Sequence, residues 1–189
     1  TLARLVAAWA RNQPDSLVVG SPASTLALAG DLARLMDDMV TRGVGWSALD
    51  DVVPDDLDVH WQHTLKFLKI ARDTWPAYLA EIDRIEPATR RDRLIDAEIA
   101  RLTAMTRGPV IAAGSTGSMP ATAKLLRAIA TMPNGAVVLP GLDPHLDDDA
   151  WNSIGDVSDG DPATPPPTWS HPQFALHHLL TRVFDITRD

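Results

Sequence analysis

The sequence predicts an α/β protein with a mainly helical first half joined to a small parallel strand–helix–strand unit. Three observations lead there. Through roughly the first hundred residues apolar side chains recur at steps of three and four, the period of a helix with one buried face. After Gly108 the pattern changes to two short, continuously apolar runs, Val110–Ala113 and Ala136–Leu139, on either side of one more helical stretch. The composition, 45% hydrophobic and 22% charged over 189 residues, allows a packed core and argues against a disordered chain.

The elements can be justified in order. Leu2, Leu5, Val6 and Trp9 fall at helical spacing. From Ser24 to Arg42 the spacing puts Leu28, Leu32, Leu35, Met36 and Met39 on one face, and Gly43 is the stop. A loop with Asp50, Asp51, Pro54, Asp55 and Asp56 follows. Trp61, Leu65, Leu68, Trp75, Leu79 and Ile82 then make a packing seam interrupted by Arg72. Pro76 lacks an N–H and must kink or restart that helix, with Thr74 or Trp75 at the cap. Pro87 suits the first turn of another helix, with Leu94, Ile95, Ile99, Leu102 and Met105 as its buried stripe.

Pro109–Ala113 reads as a strand, Gly114–Ser118 as a loop, and Pro120 as the first turn of a helix that Ser118 is placed to cap. That helix carries Ala123, Leu125, Leu126 and Ile129, and Asn134-Gly135 turns the chain into the second strand. A strand–helix–strand order implies two parallel strands joined by a right-handed crossover. Apolar runs without alternation predict strands buried on both faces, and two strands alone make no stable sheet, so further partners are expected. Residues 144–170 form an acidic, proline-rich loop with Pro165-Pro166-Pro167, and a last helix runs from about Pro172 to Phe184. The domain reading is therefore 1–107, 108–143, 144–170 and 171–189. The chain opens at Thr1 without methionine, directly in a helical pattern, and stops at Asp189 just after another. It reads as an internal piece of a larger protein, without a complete active site.

Several function classes are excluded or disfavoured. With no cysteine there is no disulfide framework, thiolate zinc site or cysteine nucleophile. No apolar run approaches a membrane span and no signal pattern opens the chain, so no membrane partner and a cytoplasmic location are expected. The net charge of −8 is uneven: seven aspartates and no Lys or Arg lie between Asp143 and Asp161, against nine basic and seven acidic residues from Lys66 to Arg107. Phosphate neutralisation needs Lys and Arg, so the segment alone should bind DNA poorly. Lys66, Lys69, Arg90, Arg91, Arg93 and Arg101 are the candidate DNA-facing residues.

The best-placed polar feature is Gly114-Ser115-Thr116-Gly117-Ser118, since a loop between strand and helix presents N–H groups to anions such as nucleotide phosphates. It lacks the Gly-Lys-Ser/Thr ending of a Walker loop and the Gly-x-Ser-x-Gly spacing of a nucleophile elbow, and a tight capped turn competes as its reading. The aspartates from Asp143 to Asp149, with Asp156, Asp159 and Asp161, do not have the spacing of a calcium-binding loop. His60, His63, His145, His171, His177 and His178 form no recognisable ligand pattern, and no metal site or catalytic residue is predicted.

The block Val110-Ile111-Ala112-Ala113-Gly114-Ser115-Thr116-Gly117-Ser118-Met119-Pro120-Ala121-Thr122-Ala123, then Gly135-Ala136-Val137-Val138-Leu139-Pro140-Gly141-Leu142-Asp143 and Trp151, resembles the AddB subunit of the AddAB helicase–nuclease in its alphaproteobacterial form. His171-Pro172-Gln173-Phe174-Ala175-Leu176 with Leu179-Leu180, and Leu26-Ala27-Leu28-Ala29 with Leu32-Ala33, resemble the same family. The resemblance spans nearly the whole chain. It implies a parent ATP-dependent helicase and exonuclease subunit in double-strand-break repair and recombination, partnered by an AddA-type subunit and meeting DNA through the intact complex. For the parent it implies ATP, magnesium and an iron–sulfur cluster, and for this fragment no cofactor. Residues 1–107 would then be a lobe like a helicase insertion, and 108–143 a partial RecA-like core.

A working motor of that family ends the strand equivalent to Val110–Ala113 in carboxylates that hold magnesium and position water. Here Ala113-Gly114-Ser115 stands instead, so the resemblance implies a degenerate motor with a scaffolding role. Two other readings stay open: a nucleotide- or anion-binding module at Gly114–Ser118, and a helical protein-interaction adaptor unrelated to DNA.

Overall fold

In the computed structural model the described residues are 1–12, 21–49, 58–105, 108–154 and 170–187, with the side chains of 58–63 and of Met105 not described. The Asp50–Asp56 loop, Arg107, Asp156, Asp159, Asp161, Pro165-Pro166-Pro167 and the side chains of His60, Trp61 and His63 lie outside them. The chain divides into two compact units, Thr1–Asp92 and Arg93–Asp189. Helices dominate, accompanied among the described residues by one two-stranded parallel sheet. No helix of the described residues is long and apolar enough to cross a membrane.

The first unit contains α1 (Leu2–Arg11), α2 (Pro22–Arg42), a short 3-10 turn at Trp46–Leu49, α3 (Asp58–Lys69) and α4 (Trp75–Glu81). It also holds the first turns of α5 (Pro87–Met105), which crosses into the second unit. Ser21 caps α2 by accepting from the Ser24 N–H at 3.1 Å, and Pro22 occupies the first turn. Gly43 ends the helix at φ +68°, a conformation that favours glycine. The predicted face of α2 is the one that packs: Leu32, Met36 and Met39 are buried and Leu28 and Leu35 flank them. Leu28, Leu32, Leu35 and Met36 meet Leu2 and Val6 of α1 and Ile70 and Ala71 beyond α3. Trp9 sets its ring edge-on to Phe67, with centroids 5.1 Å apart.

Pro76 has the predicted effect on the third helical run. It cannot donate to the carbonyl four residues back, and its ring crowds that carbonyl. The backbone widens into a π-helical turn over Ile70–Thr74 and restarts as α4, with Thr74 at the cap. Trp75 Nε1 donates to Glu86 Oε1, tying the seam to the start of α5. Ile82, expected in the seam, is exposed, because α4 has ended at Glu81 and the chain turns away through Asp83 at φ +52°.

The second unit holds the rest of α5, β1 (Val110–Ala113), α6 (Pro120–Ala130), β2 (Gly135–Val138), α7 (Asp148–Ser153) and α8 (Phe174–His178). α8 continues as a π-helical turn over Leu179–Phe184. β1 and β2 pair in parallel, Val110 opposite Gly135 and Ala113 opposite Val138. Gly135 is required by packing: a Cβ there would stand 1.7 Å from the Ile129 carbonyl oxygen. One face of the sheet, with Ala112, Val137 and Leu139, rests on Ala123 and Leu126 of α6 and on Leu179.

Three further expectations are corrected here. Within the stretch 144–170, expected to be a loop, Asp148–Ser153 form the helix α7, because Asp147 caps its first turn. The strands are not buried on both faces: Ile111 is 66% and Val138 58% exposed, because among the described residues a layer covers the sheet on one side only. Leu94 is 54% exposed, because the inward stripe of α5 runs through Ile95, Ile99 and Leu102, one helical step away.

Candidate functional site

The strand exit at Gly114–Ser118 is where a nucleotide or anion would be met, and its local structure follows from its two glycines. Gly114 continues the ladder, its N–H donating to the Val138 carbonyl at 3.0 Å, and then turns at φ +78°. Ser115 Oγ accepts from the Gly117 N–H at 3.3 Å, a local serine turn. Gly117, at φ +61°, is buried, and a Cβ there would lie 2.8 Å from Leu179 Cδ1 and 3.2 Å from Leu126 Cδ1. The second glycine therefore serves close packing of the loop on the α6 and α8 side chains. The Gly114 and Gly117 N–H groups are both engaged inside the fold.

The predicted cap differs in the structure. Met119 sits at the N-cap of α6 with no side-chain bond, and exposed Ser118 pairs with Thr116 Oγ1 at 3.4 Å. With Gly117 pinned against Leu179, the chain enters the helix one residue later than the Ser-x-Pro spacing suggests. The loop contains no carboxylate and no lysine, so it offers no anionic ligand for magnesium and no cation for a terminal phosphate. The nearest lysine along the chain, Lys124, is paired at 2.5 Å with Asp96.

The candidate DNA-facing residues are distributed over both units. Lys66 and Lys69 are exposed on α3, and Arg90 is exposed on α5 in the first unit. Arg91, half-buried, donates through Nε to Asp92 at 2.9 Å and through Nη1 to Thr41 Oγ1 at 3.3 Å, tying α5 to α2. Its Nη2 stands 2.9 Å from the same Asp92 oxygen but off the donor direction, so it makes no bond of its own. Arg93 is exposed in the second unit, where Arg101 makes a two-pronged bond to Glu98 at 2.6 and 2.8 Å. That bond holds the Glu98 carboxyl below its ordinary range and raises Arg101. Arg91 and Arg101 thus have structural partners, whereas Lys66, Lys69, Arg90 and Arg93 have no ion-pair partner among the described residues.

The aspartate run takes local backbone roles. Asp143 Oδ1 accepts from the His145 N–H at 2.9 Å, and Asp147 caps α7 by accepting from Ala150 at 2.7 Å. His177 is buried against Trp151, centroids 5.0 Å apart, while adjacent His178 is exposed and stacks on Phe174. Burial lowers the His177 pKa, helped by the positive charges of His178 and Arg182. His171 Nδ1 accepts from the Gln173 N–H at 3.1 Å. Among the described residues no three histidine or carboxylate side chains converge on a metal position.

One residue that sequence reasoning passed over is Gln173. Its Nε2 donates to the Gly141 carbonyl at 2.7 Å and its Oε1 accepts from the Asp143 N–H at 3.1 Å. It clamps the exit of β2 to the start of α8. The final helix accordingly begins at Phe174 instead of Pro172, with Ser170–Gln173 forming the turn that presents the clamp. An amide side chain 32 residues from its partner leaves no local pattern to read.

No protein-family model, curated protein or solved structure matches the chain.

Proposed function

We propose that the chain is a non-catalytic, helicase-like segment of an AddB-type subunit, acting as a scaffold in a double-strand-break repair helicase–nuclease. The observation that carries the reading is the union of two of the strings that resemble the family. Gly141 and Asp143, from Leu139-Pro140-Gly141-Leu142-Asp143, are both bonded to Gln173 of His171-Pro172-Gln173-Phe174. Strings that resemble one family, separated by an acidic proline-rich stretch, belong to one structural unit.

The non-catalytic part rests on β1. It leads through Ala113, Gly114 and Ser115 into a turn whose second glycine is packed on Leu179, and no carboxylate follows the strand. A parallel strand–helix–strand unit is the element a RecA-like core would contribute. In this reading ATP, magnesium and any iron–sulfur cluster belong to other parts of the parent, and DNA is met through the assembled complex.

A magnesium–ATP titration followed by calorimetry tests the non-catalytic claim against a nucleotide-binding module. The expected result is no saturable heat and no shift in melting temperature. Saturable stabilisation that is lost on Gly117→Val, with the variant still folded, would establish the nucleotide reading instead.

A further inference from the structure

α6 and the helix running from Phe174 to Phe184 lie side by side and leave a groove of about 490 Å³ between them. Ala123, Ala175, Leu179 and Val183 form its floor, and small alanines on both helices keep it open. Lys124 and Arg127 line one rim, a helical turn apart, and His178 and Arg182 line the other, four residues apart. The lining contains no carboxylate.

The cations are held for an outside partner to different degrees. Lys124 is paired with Asp96 of α5. Arg127 donates through Nη1 to the Val183 carbonyl at 2.6 Å, which straps one end of the groove and fixes the rest of the guanidinium in place. His178 and Arg182 are exposed, and Arg182 has no ion-pair partner among the described residues.

An aliphatic floor between two cationic rims is complementary to one kind of partner. A helix with an apolar stripe fits the floor, and acidic residues on either side of the stripe meet the rims. The length suits it: α6 has 11 residues and so runs for about 16 Å, roughly three turns of a docked helix. Single-stranded nucleic acid suits the groove less well, because it needs free aromatic faces for stacking and the two rings here, Phe174 and His178, are stacked on each other. We infer that the groove between α6 and the Phe174–Phe184 helix is a docking site for an acidic amphipathic helix of a partner protein. The inference goes beyond the repair reading and does not depend on it.

The test uses the whole chain and two labelled peptides of about 16 residues, long enough to fill the groove as a helix. Both carry leucines at i, i+3, i+4 and i+7; one is flanked by glutamates and the other by lysines. Fluorescence anisotropy should show the acidic peptide binding at least about tenfold more tightly, with the difference shrinking as salt rises. Arg182→Glu should weaken it by about tenfold and Ala175→Trp, which fills an exposed part of the floor, should abolish it. Both positions are exposed, so melting temperatures should stay close to that of the parent chain. Equal binding of the two peptides, no binding of either, or binding indifferent to both substitutions would overturn the inference. So would an oligothymidylate that binds in place of the acidic peptide and is lost with Arg182→Glu.

Discussion

The two units solve the problem of burying apolar surface in different ways. In the first, four helical segments turn their stripes toward one another, and Leu2, Val6, Leu32, Met36 and Ile70 meet in a core that their own elements enclose. In the second, α6 and Leu179 cover one side of a two-stranded sheet, while Ile111 and Val138 stand exposed on the other. A helix can satisfy its backbone within itself, so a lobe of helices needs only complementary stripes. A sheet needs neighbours for its edges and a layer on each apolar face, and a short strand–helix–strand unit supplies one layer. The contrast makes residues of equal hydrophobicity unequal in consequence.

The largest expected effects sharpen that contrast. Leu32→Ala and Leu126→Ala should each cost about 2–5 kcal/mol, by lost burial plus the cavity left behind. Ile111→Thr, on the bare face, should change stability by about 0.5 kcal/mol or less. Urea denaturation of the three variants checks this. A large loss for Ile111→Thr would mean the face is covered, and the comparison between units would fail.

Next in size is Gly117→Ala. It places a side chain at φ +61° and drives a Cβ into Leu179, and should cost about 1–3 kcal/mol. If close packing is the cause, Leu179→Ala in the same chain should make the pair of changes less than additive, measured by a double-mutant cycle. Strict additivity would assign the glycine to backbone conformation alone.

Gln173→Ala should cost about 1–2 kcal/mol, since it leaves the Gly141 carbonyl and the Asp143 N–H without their partner. Hydrogen exchange at Asp143 should quicken with it, whereas amides of α2 should be unchanged. The smallest effect concerns pH. Because the folded pKa of His177 is lowered, the unfolded chain takes up a proton first as pH falls. Its contribution is therefore fully present above the unfolded value of about 6.5 and is lost as pH drops toward the lower folded value. Melting temperatures at neutral and mildly acidic pH should show a drop in the parent chain that is reduced in His177→Gln.

Much of the first unit was legible in the sequence because its signals are local. Gly43, Pro76 and Pro87 act on the backbone within a turn of themselves, and the α2 stripe repeats often enough to define its face, though α2 begins at Pro22, two residues before the expected Ser24. The strands and their parallel order were legible from apolar runs flanking a helix. Which strand face is covered was not, because valine and isoleucine look the same whether or not a second layer exists. At the strand exit the glycines and serines marked a turn. Its purpose depended on Leu179, whose contact with Gly117 spans more than half the second unit's length and leaves no trace in spacing. The Gln173 clamp escaped notice for the same reason.

The proposal that this chain is a scaffold for a catalytic partner meets its most direct test in complex formation. The chain should be mixed with an AddA-type helicase–nuclease subunit and followed by sedimentation velocity, without nucleotide. The expected result is a stoichiometric complex that forms equally well with Gly114 and Ser115 both changed to alanine. Two species sedimenting independently at concentrations well above those of ordinary subunit association would contradict it.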